Sequence, residues 1–134
     1  MKVYLSGGIY KNNKEATENW REVVTLKLGK DQIINPCRNR AIYDPIAFTV
    51  TELITRDRQD INNADLILIY GYQVGNHLGI GTWCEMEYAQ SLSKPIVIIS
   101  IDPRIINHPW VKHHCVKIFD KLDEAINYIK DFWA

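Results

Sequence analysis

The 134-residue chain carries no excess of charge of either sign: Lys plus Arg and Asp plus Glu number 16 each, and the formal net charge is zero. General nucleic-acid binders and membrane-surface binders normally carry a basic excess, so the balance argues against both partners. A small anionic ligand stays open, because one local arginine suffices for it. No run is long and apolar enough to span a bilayer. Met1–Ser6 is too short in apolar residues for a signal peptide and reads as a first strand. Cysteines are scarce: Cys37, Cys84 and Cys115 are odd in number and show no C-x-x-C spacing. They fit free thiols in a reducing compartment better than a disulfide framework, so a cytoplasmic location is expected. Internal repeats and low-complexity segments are missing as well.

Several catalytic signatures are also missing. Gly79-Ile80-Gly81 leads into Thr82-Trp83-Cys84, so the third glycine of a dinucleotide fingerprint is replaced by Cys84, and the segment follows the third strand rather than the first. That strand ends in Ile69-Tyr70, without the Asp of a phosphoacceptor. No serine sits in a G-x-S-x-G elbow. His108, His113 and His114 lie near Cys115 at spacings that match no standard zinc pattern. No metal and no cofactor is expected.

What is present is a regular alternation. Apolar residues make up 46% of the chain, enough for one domain, expected over residues 1–134, with a real core. Short apolar runs at Val3–Leu5, Ile33-Ile34, Asp65–Tyr70, Ile96–Ile101 and Val116–Phe119 predict five strands. Helices are predicted from an Asn13 cap to Leu28, from about Thr49 or Thr51 to Asn63, from Thr82 to about Ser93, and from Asp120 or Asp123 onward. Residues 104–114 read as irregular or as a short helical turn. The order implies a single-domain α/β fold, a doubly wound five-stranded parallel sheet of flavodoxin-like or Rossmann-like type with strand order 2-1-3-4-5. Its switch point then lies between strands 1 and 3, where such sheets bind ligands.

Glu85 is the most prominent residue near that point. At ~100° per residue it shares a helix face with Tyr88, Ala89 and Leu92, pointing towards apolar protein, whereas Glu87 points to solvent with Gln90, Ser91 and Lys94. Thr82 with Glu85 three residues on also has capping-box spacing, so Glu85 is either a cap or a functional carboxylate. Tyr4, Ser6, Gly7 and Gly8 fall beside the loop leading to it, and the two glycines permit tight turning and close approach of a ligand. Asp57 stands in the stripe formed by Val50, Leu53, Ile54 and Ile61, beside Arg56, Arg58 and Asp60, which read as exposed. Asp57 is either the partner of a nearby Arg or a ligand contact. Arg38 and Arg40 lie in a polar loop after the second strand, a position that often lines the crevice.

Three segments resemble the nucleoside 2-deoxyribosyltransferase family, which includes related deoxynucleotide N-glycosidases. They are Val3–Tyr10, Arg56–Leu68 with its "RD…DI…AD" pattern, and Gly81–Ala89 followed by Lys94-Pro95-Ile96-Val97-Ile98. The resemblance implies an enzyme that cleaves the N-glycosidic bond of a 2′-deoxynucleoside. It makes Glu85 the nucleophile on the anomeric carbon, Tyr4 the residue positioning that carboxylate, and Asp65 a catalytic neighbour of base or sugar. It implies a nucleoside or nucleotide and a free base as partners, and a homo-oligomer whose sites borrow a residue from a neighbouring subunit. Ser6, Gly7, Gly8, Tyr10, Arg38, Asp57, Gly79, Gly81 and Thr82 are the expected substrate contacts, with Tyr10, Tyr72 and Trp83 as candidates to stack on a base.

The chain departs from the pattern at Gly79, where the best-known transferases carry an acid six places before the nucleophile. It departs again at Glu87, where a small residue is common. Three readings follow: transfer of deoxyribose to a second base, hydrolysis of a nucleoside or its 5′-monophosphate, and a non-catalytic nucleotide sensor. Arg38 or Arg40 on a phosphate, with the Ser6-Gly7-Gly8 backbone as cradle, would favour the second.

Overall fold

A computed structural model describes residues 1–39, 47–72, 74, 75 and 79–134. Five parallel strands form one sheet: β1 (Val3–Gly7), β2 (Ile33–Ile34), β3 (Leu66–Tyr70), β4 (Ile96–Ile99) and β5 (Lys117–Phe119). Their order is β2-β1-β3-β4-β5, as the alternation predicts. β1 pairs with β2 on one side and β3 on the other, with Tyr4 level with Ile67 and Ser6 level with Ile69. Helices α1 (Lys14–Leu28), α2 (Val50–Asn63), α3 (Ile80–Ser91), α4 (Pro103–Ile106), α5 (Pro109–His114) and α6 (Leu122–Tyr128) cover the sheet, and a π-type turn follows α6 over Ile129–Trp133.

Because strand side chains alternate, each central strand feeds two cores. Val3, Leu5, Leu66, Leu68, Val97 and Ile99 pack with Trp20, Val24 and Leu28 of α1 and with Ala125 and Ile126 of α6. Tyr4, Ile67, Ile69, Ile96 and Ile98 face the other way, against Ile61 of α2, Met86 and Ala89 of α3, and Val111 of α5. Leu66 to Ile69 are fully buried, which explains the unbroken apolar run of a strand covered on both faces. At roughly 1.5–3 kcal/mol per buried Leu or Ile, these two layers hold the sheet together.

Local chemistry sets the helix ends. The Asn13 side chain accepts from Ala16 N at 3.1 Å and starts α1. Thr49 and Glu52 form a reciprocal capping box at the start of α2. β4 stops earlier than its apolar run, at Ile99, because Ser100 turns its hydroxyl to Gly71 O and to Asp102 N, leaving Ile101 exposed. Residues 103–114 hold two short helices rather than irregular chain, each begun by a proline at its first position, after the caps Asp102 and His108.

Candidate active site

The site is built at the β1/β3 switch point from side chains on the α2 and α3 side of the sheet. Tyr4 donates its hydroxyl to Glu85 Oε2 at 2.6 Å, and Ser6 donates to Glu85 Oε1 at 2.8 Å. Both donors stand on one face of β1 because they are two residues apart. Both are buried, whereas Glu85 keeps part of its surface open.

The start of α3 differs from its sequence signal. Gly79, at φ 66°, is the N-cap, and the first turn begins at Ile80. That left-handed backbone is open to glycine at little cost, so the chain turns into the helix before Thr82 is reached. Thr82 is therefore a buried residue of the first turn, not a cap. Glu85 falls in the second turn, where no free amide calls for a cap, and its carboxylate is held by β1 instead.

Glu85 opens onto a cleft of about 470 Å³. Tyr4, Gly7 and Gly8 of β1 and its turn form one wall. Ile54, Asp57, Arg58 and Ile61 of α2 face them, and Gly79 to Thr82, Cys84, Glu85 and Tyr88 supply the α3 side. Burial pushes the Glu85 carboxyl from 4.5 up to about 7, and the Asp57 charge adds to this, while the hydrogen bonds from Tyr4 and Ser6 and the Arg21 charge oppose it. Burial likewise raises Asp57 from 3.8 to about 6, despite Arg56, whose Nη2 lies 3.9 Å from Asp57 Oδ1. That Oδ1 is buried without a hydrogen-bond partner among the described residues. Burial also raises the Tyr4 phenol well above its ordinary value, with the Glu85 charge next in weight, so it stays a donor.

The expected site residues divide into three groups. Tyr4, Gly7, Gly8, Asp57, Gly79, Gly81, Thr82 and Glu85 line the cleft, and Ser6 reaches it through Glu85. Tyr10 stands apart, where its hydroxyl accepts from Val74 N at 3.1 Å and secures the segment after β3. Tyr72 and Trp83 line a small void with Tyr10 rather than the cleft. Two residues sit elsewhere. Asp65 lies outside the cleft, exposed at the amino end of β3, where its Oδ2 accepts from Lys2 N at 2.7 Å. Ligands of such sheets gather at the carboxyl ends of the strands, and the acid of that segment which faces Glu85 is Asp57. Arg38 grips Asp60 with both guanidinium nitrogens, at 2.7 and 2.9 Å, and does not line the cleft. Asp60 is thus buried, not exposed as its neighbours suggest. Arg40 lies outside the described residues.

Three residues at the site were not singled out from the sequence: Arg58, Tyr88 and Arg21. Arg58 reaches the cleft with its guanidinium 5.3 Å from the Tyr88 ring centroid and makes no ion pair among the described residues. The signal for Tyr88 was its place one turn beyond Glu85 on the same face. Arg21 is completely buried beneath the Gly7 turn. Its signal was a charge inside the apolar stripe of α1, four residues from Thr17 and three from Val24. Glu87, on the far face of α3, pairs with His114 of α5. Among the described residues no three His, Cys, Asp or Glu side chains are grouped to hold a metal, and no helix is long and apolar enough to cross a membrane.

No protein-family model matches the chain, and no curated protein matches it in sequence. Solved structures do share its fold. A 2-deoxyribosyltransferase from Bacillus psychrosaccharolyticus is similar with a TM-score of 0.74 at 18% identity, over 96% of this chain and 92% of that one. A conserved protein from Enterococcus faecalis V583 gives 0.73 at 16%, over 98% of each chain. A 2-deoxyribosyltransferase from Leishmania mexicana gives 0.69 at 19%, over 99% of each.

Proposed function

We propose that the protein is a nucleoside 2-deoxyribosyltransferase. In this reading it cleaves the N-glycosidic bond of a 2′-deoxynucleoside through a deoxyribosyl ester on Glu85 and passes the sugar to another base. The observation that carries the reading is the Glu85 carboxylate, clamped by Tyr4 and Ser6 at the floor of a cleft whose opposite wall presents a second carboxyl, Asp57. Two solved transferases with the same fold support it.

The chemistry follows from the groups present. A Glu85 oxygen forms a bond to C1′ as the C1′–N bond breaks, and the departing nitrogen takes the electron pair. Asp57, protonated over part of the neutral range because burial raises it to about 6, gives that nitrogen its proton. Positive charge develops on the sugar in this step and is stabilised by the ionised Glu85. The incoming base then attacks C1′, the ester bond breaks, and Asp57 recovers a proton from the new nucleoside. Tyr4 and Ser6 hold the carboxylate rotamer throughout, each spending one hydrogen bond on a different oxygen.

A second reading, hydrolysis of a deoxynucleoside 5′-monophosphate, has its own observation. Arg58 is a cation of the cleft with no carboxylate partner among the described residues, and Gly79 leaves the start of α3 without an acid that would repel a phosphate. One experiment separates the readings. The protein, beside Glu85→Ala, is incubated with each deoxynucleoside and each 5′-monophosphate, with and without a second base, and the products are resolved by chromatography. A new nucleoside formed only with acceptor supports transfer. Free base and free sugar phosphate without acceptor support hydrolysis. Binding without turnover rejects both in favour of a sensor.

A further inference from the structure

Arg21 is among the largest fully buried side chains of the described residues, at 0% exposure. Its Nη2 donates to Gly7 O at 3.1 Å, its Nη1 donates to Thr17 O, and its Nε is buried without a partner among the described residues. The guanidinium also lies 4.6 Å from the Trp20 ring centroid. These partners are neutral, and no carboxylate comes within ion-pair distance among the described residues. A buried guanidinium left like this is costly unless opposite charge lies close behind its first neighbours. The route to such charge is short. Gly7 follows Ser6, and Ser6 donates to Glu85 at 2.8 Å. Gly7 is also where α1 presses hardest on the turn, since a β-carbon there would meet Trp20 at 2.8 Å.

We propose that Arg21 is the fixed counter-charge of the site, a positioning residue that acts through the Ser6–Gly7 turn and supplies the positive field under which Glu85 and Asp57 share one cleft. The inference rests on Glu85 being the working carboxylate. The groups around Glu85 are Tyr4 and Ser6 of β1, Asp57 and Arg58 of α2 with Arg56, Asp60 and Arg38 beyond them, Cys84 and Tyr88 along α3, and, behind the β1 backbone, Arg21 of α1. Arg21 lowers the carboxyls of both Glu85 and Asp57, against the burial that raises them. It does so from behind the backbone, away from the position where the sugar develops its own positive charge.

The alternative is a purely mechanical clip that ties α1 to the turn. Charge separates the two roles. Arg21→Lys keeps the charge and loses the fork, Arg21→Gln keeps a donor and loses the charge, and Arg21→Met loses both. The ionisation midpoint of Glu85 is read without substrate, from the difference in urea stability between each variant and its Glu85→Gln double mutant across pH 4 to 9. The expected result is a higher midpoint in the Gln and Met variants and one close to the parent in the Lys variant. An unmoved midpoint in all three, or a Lys shift as large as that of Met, overturns the proposal. Should the neutral variants fail to fold at pH 7.5, they are expected to fold at pH 5, where Glu85 is protonated; failure at both overturns the proposal too. Because Glu85 titrates above Asp57 yet must be ionised while Asp57 is protonated, the alkaline limb of kcat/KM should move up with the midpoint and its maximum should fall. A shifted midpoint with no turnover on any substrate would leave Arg21 in this role and reject the proposed reaction, and turnover with an unshifted midpoint would do the reverse.

Discussion

Replacing Glu85 with glutamine keeps the side chain's size and one acceptor oxygen while removing its charge, and the structure predicts opposite effects on activity and stability. On the proposed mechanism activity should fall at least ~10³-fold, because the substitution removes the group proposed as nucleophile. Stability should rise at alkaline pH. The parent carboxyl is raised in the folded state from 4.5 to about 7. At ~1.4 kcal/mol per pH unit, that corresponds to a cost of roughly 3 kcal/mol once the group is fully ionised. Water reaching Glu85 through the cleft screens the charge and reduces this to about 2 kcal/mol. The amide must also turn its NH2 towards either Tyr4 or Ser6, which costs about 0.5–1 kcal/mol.

The sign follows from linkage. A carboxyl raised on folding binds more protons in the folded state, so the stability it contributes is present below the unfolded value and is lost as pH rises through the folded one. Between about pH 4.5 and pH 7 the parent therefore loses stability relative to Glu85→Gln. Urea denaturation of both proteins at pH 4.5, 6, 7 and 8 reads the difference, since groups not coupled to Glu85 titrate alike and cancel, and the coupling to Asp57 adds to the same trend. The expected curve starts near zero or slightly in favour of the parent, and ends with the variant about 1 kcal/mol more stable at pH 8. A difference that stays flat across this range, or that favours the parent more at pH 8 than at pH 4.5, would refute the claim that burial governs this carboxyl.

Other perturbations sort the remaining residues. Asp57→Asn should lower turnover ~10²–10³-fold on ordinary deoxynucleosides, yet much less on an N7-methylated purine deoxynucleoside, whose cationic base departs without a proton; base release measures both. With Glu85 needed ionised and Asp57 needed protonated, kcat/KM should be bell-shaped with its maximum between about pH 6 and pH 7, as a pH–rate profile would show. Tyr4→Phe removes a hydrogen bond that favours ionised Glu85, so the alkaline limb of its profile should move to higher pH along with a fall of about tenfold or more in kcat. Arg58→Gln should raise KM for a 5′-monophosphate about tenfold or more and leave a nucleoside unchanged, whereas Arg38→Ala should cost about 2 kcal/mol of stability by stranding buried Asp60, with no selective effect on the phosphate.

The sheet was legible because each central strand is a near-continuous apolar run, and the alternation with helices admits few connections. Helix phase showed that Glu85, and not Glu87, could face the sheet, but it left Glu85 open as a cap or a functional carboxylate, and the strand order and the family resemblance were needed to single it out. Its capping partner was misread because Thr82 and Glu85 carry the right spacing, while the helix actually starts from Gly79 in a left-handed turn that no side-chain pattern announces. Strand polarity bears on Asp65: it precedes β3 at the amino end of the sheet, opposite the carboxyl ends where such sheets keep their ligands. The Arg38–Asp60 fork joins residues 22 apart through α2 and the end of β2, and local spacing carries no trace of it. Arg21 left a trace, a cation on the apolar face of α1, whose meaning depended on what lay beneath Gly7.

In the proposed reaction the substrate is neutral at the reacting carbon and cationic in passage, and the charges of the cleft fit that course. With the two carboxyls near 6 and 7, Asp57 ionises first, so the state that the proposed reaction needs, Glu85 ionised and Asp57 protonated, is the minority arrangement of the one shared proton. In that state the charge on Glu85 suits a developing oxocarbenium ion, and the proton kept by Asp57 suits a departing base. A cation placed in the open beside Glu85 would cancel the first effect. Arg21 keeps its charge behind the β1 backbone instead, where it offsets burial of the carboxylates while the face presented to the sugar stays anionic. Arg58, the cation that does reach the cleft, is carried by α2 and leans on Tyr88, one turn beyond Glu85 on α3. The overall neutrality of the chain conceals this division, which is a property of position and not of composition.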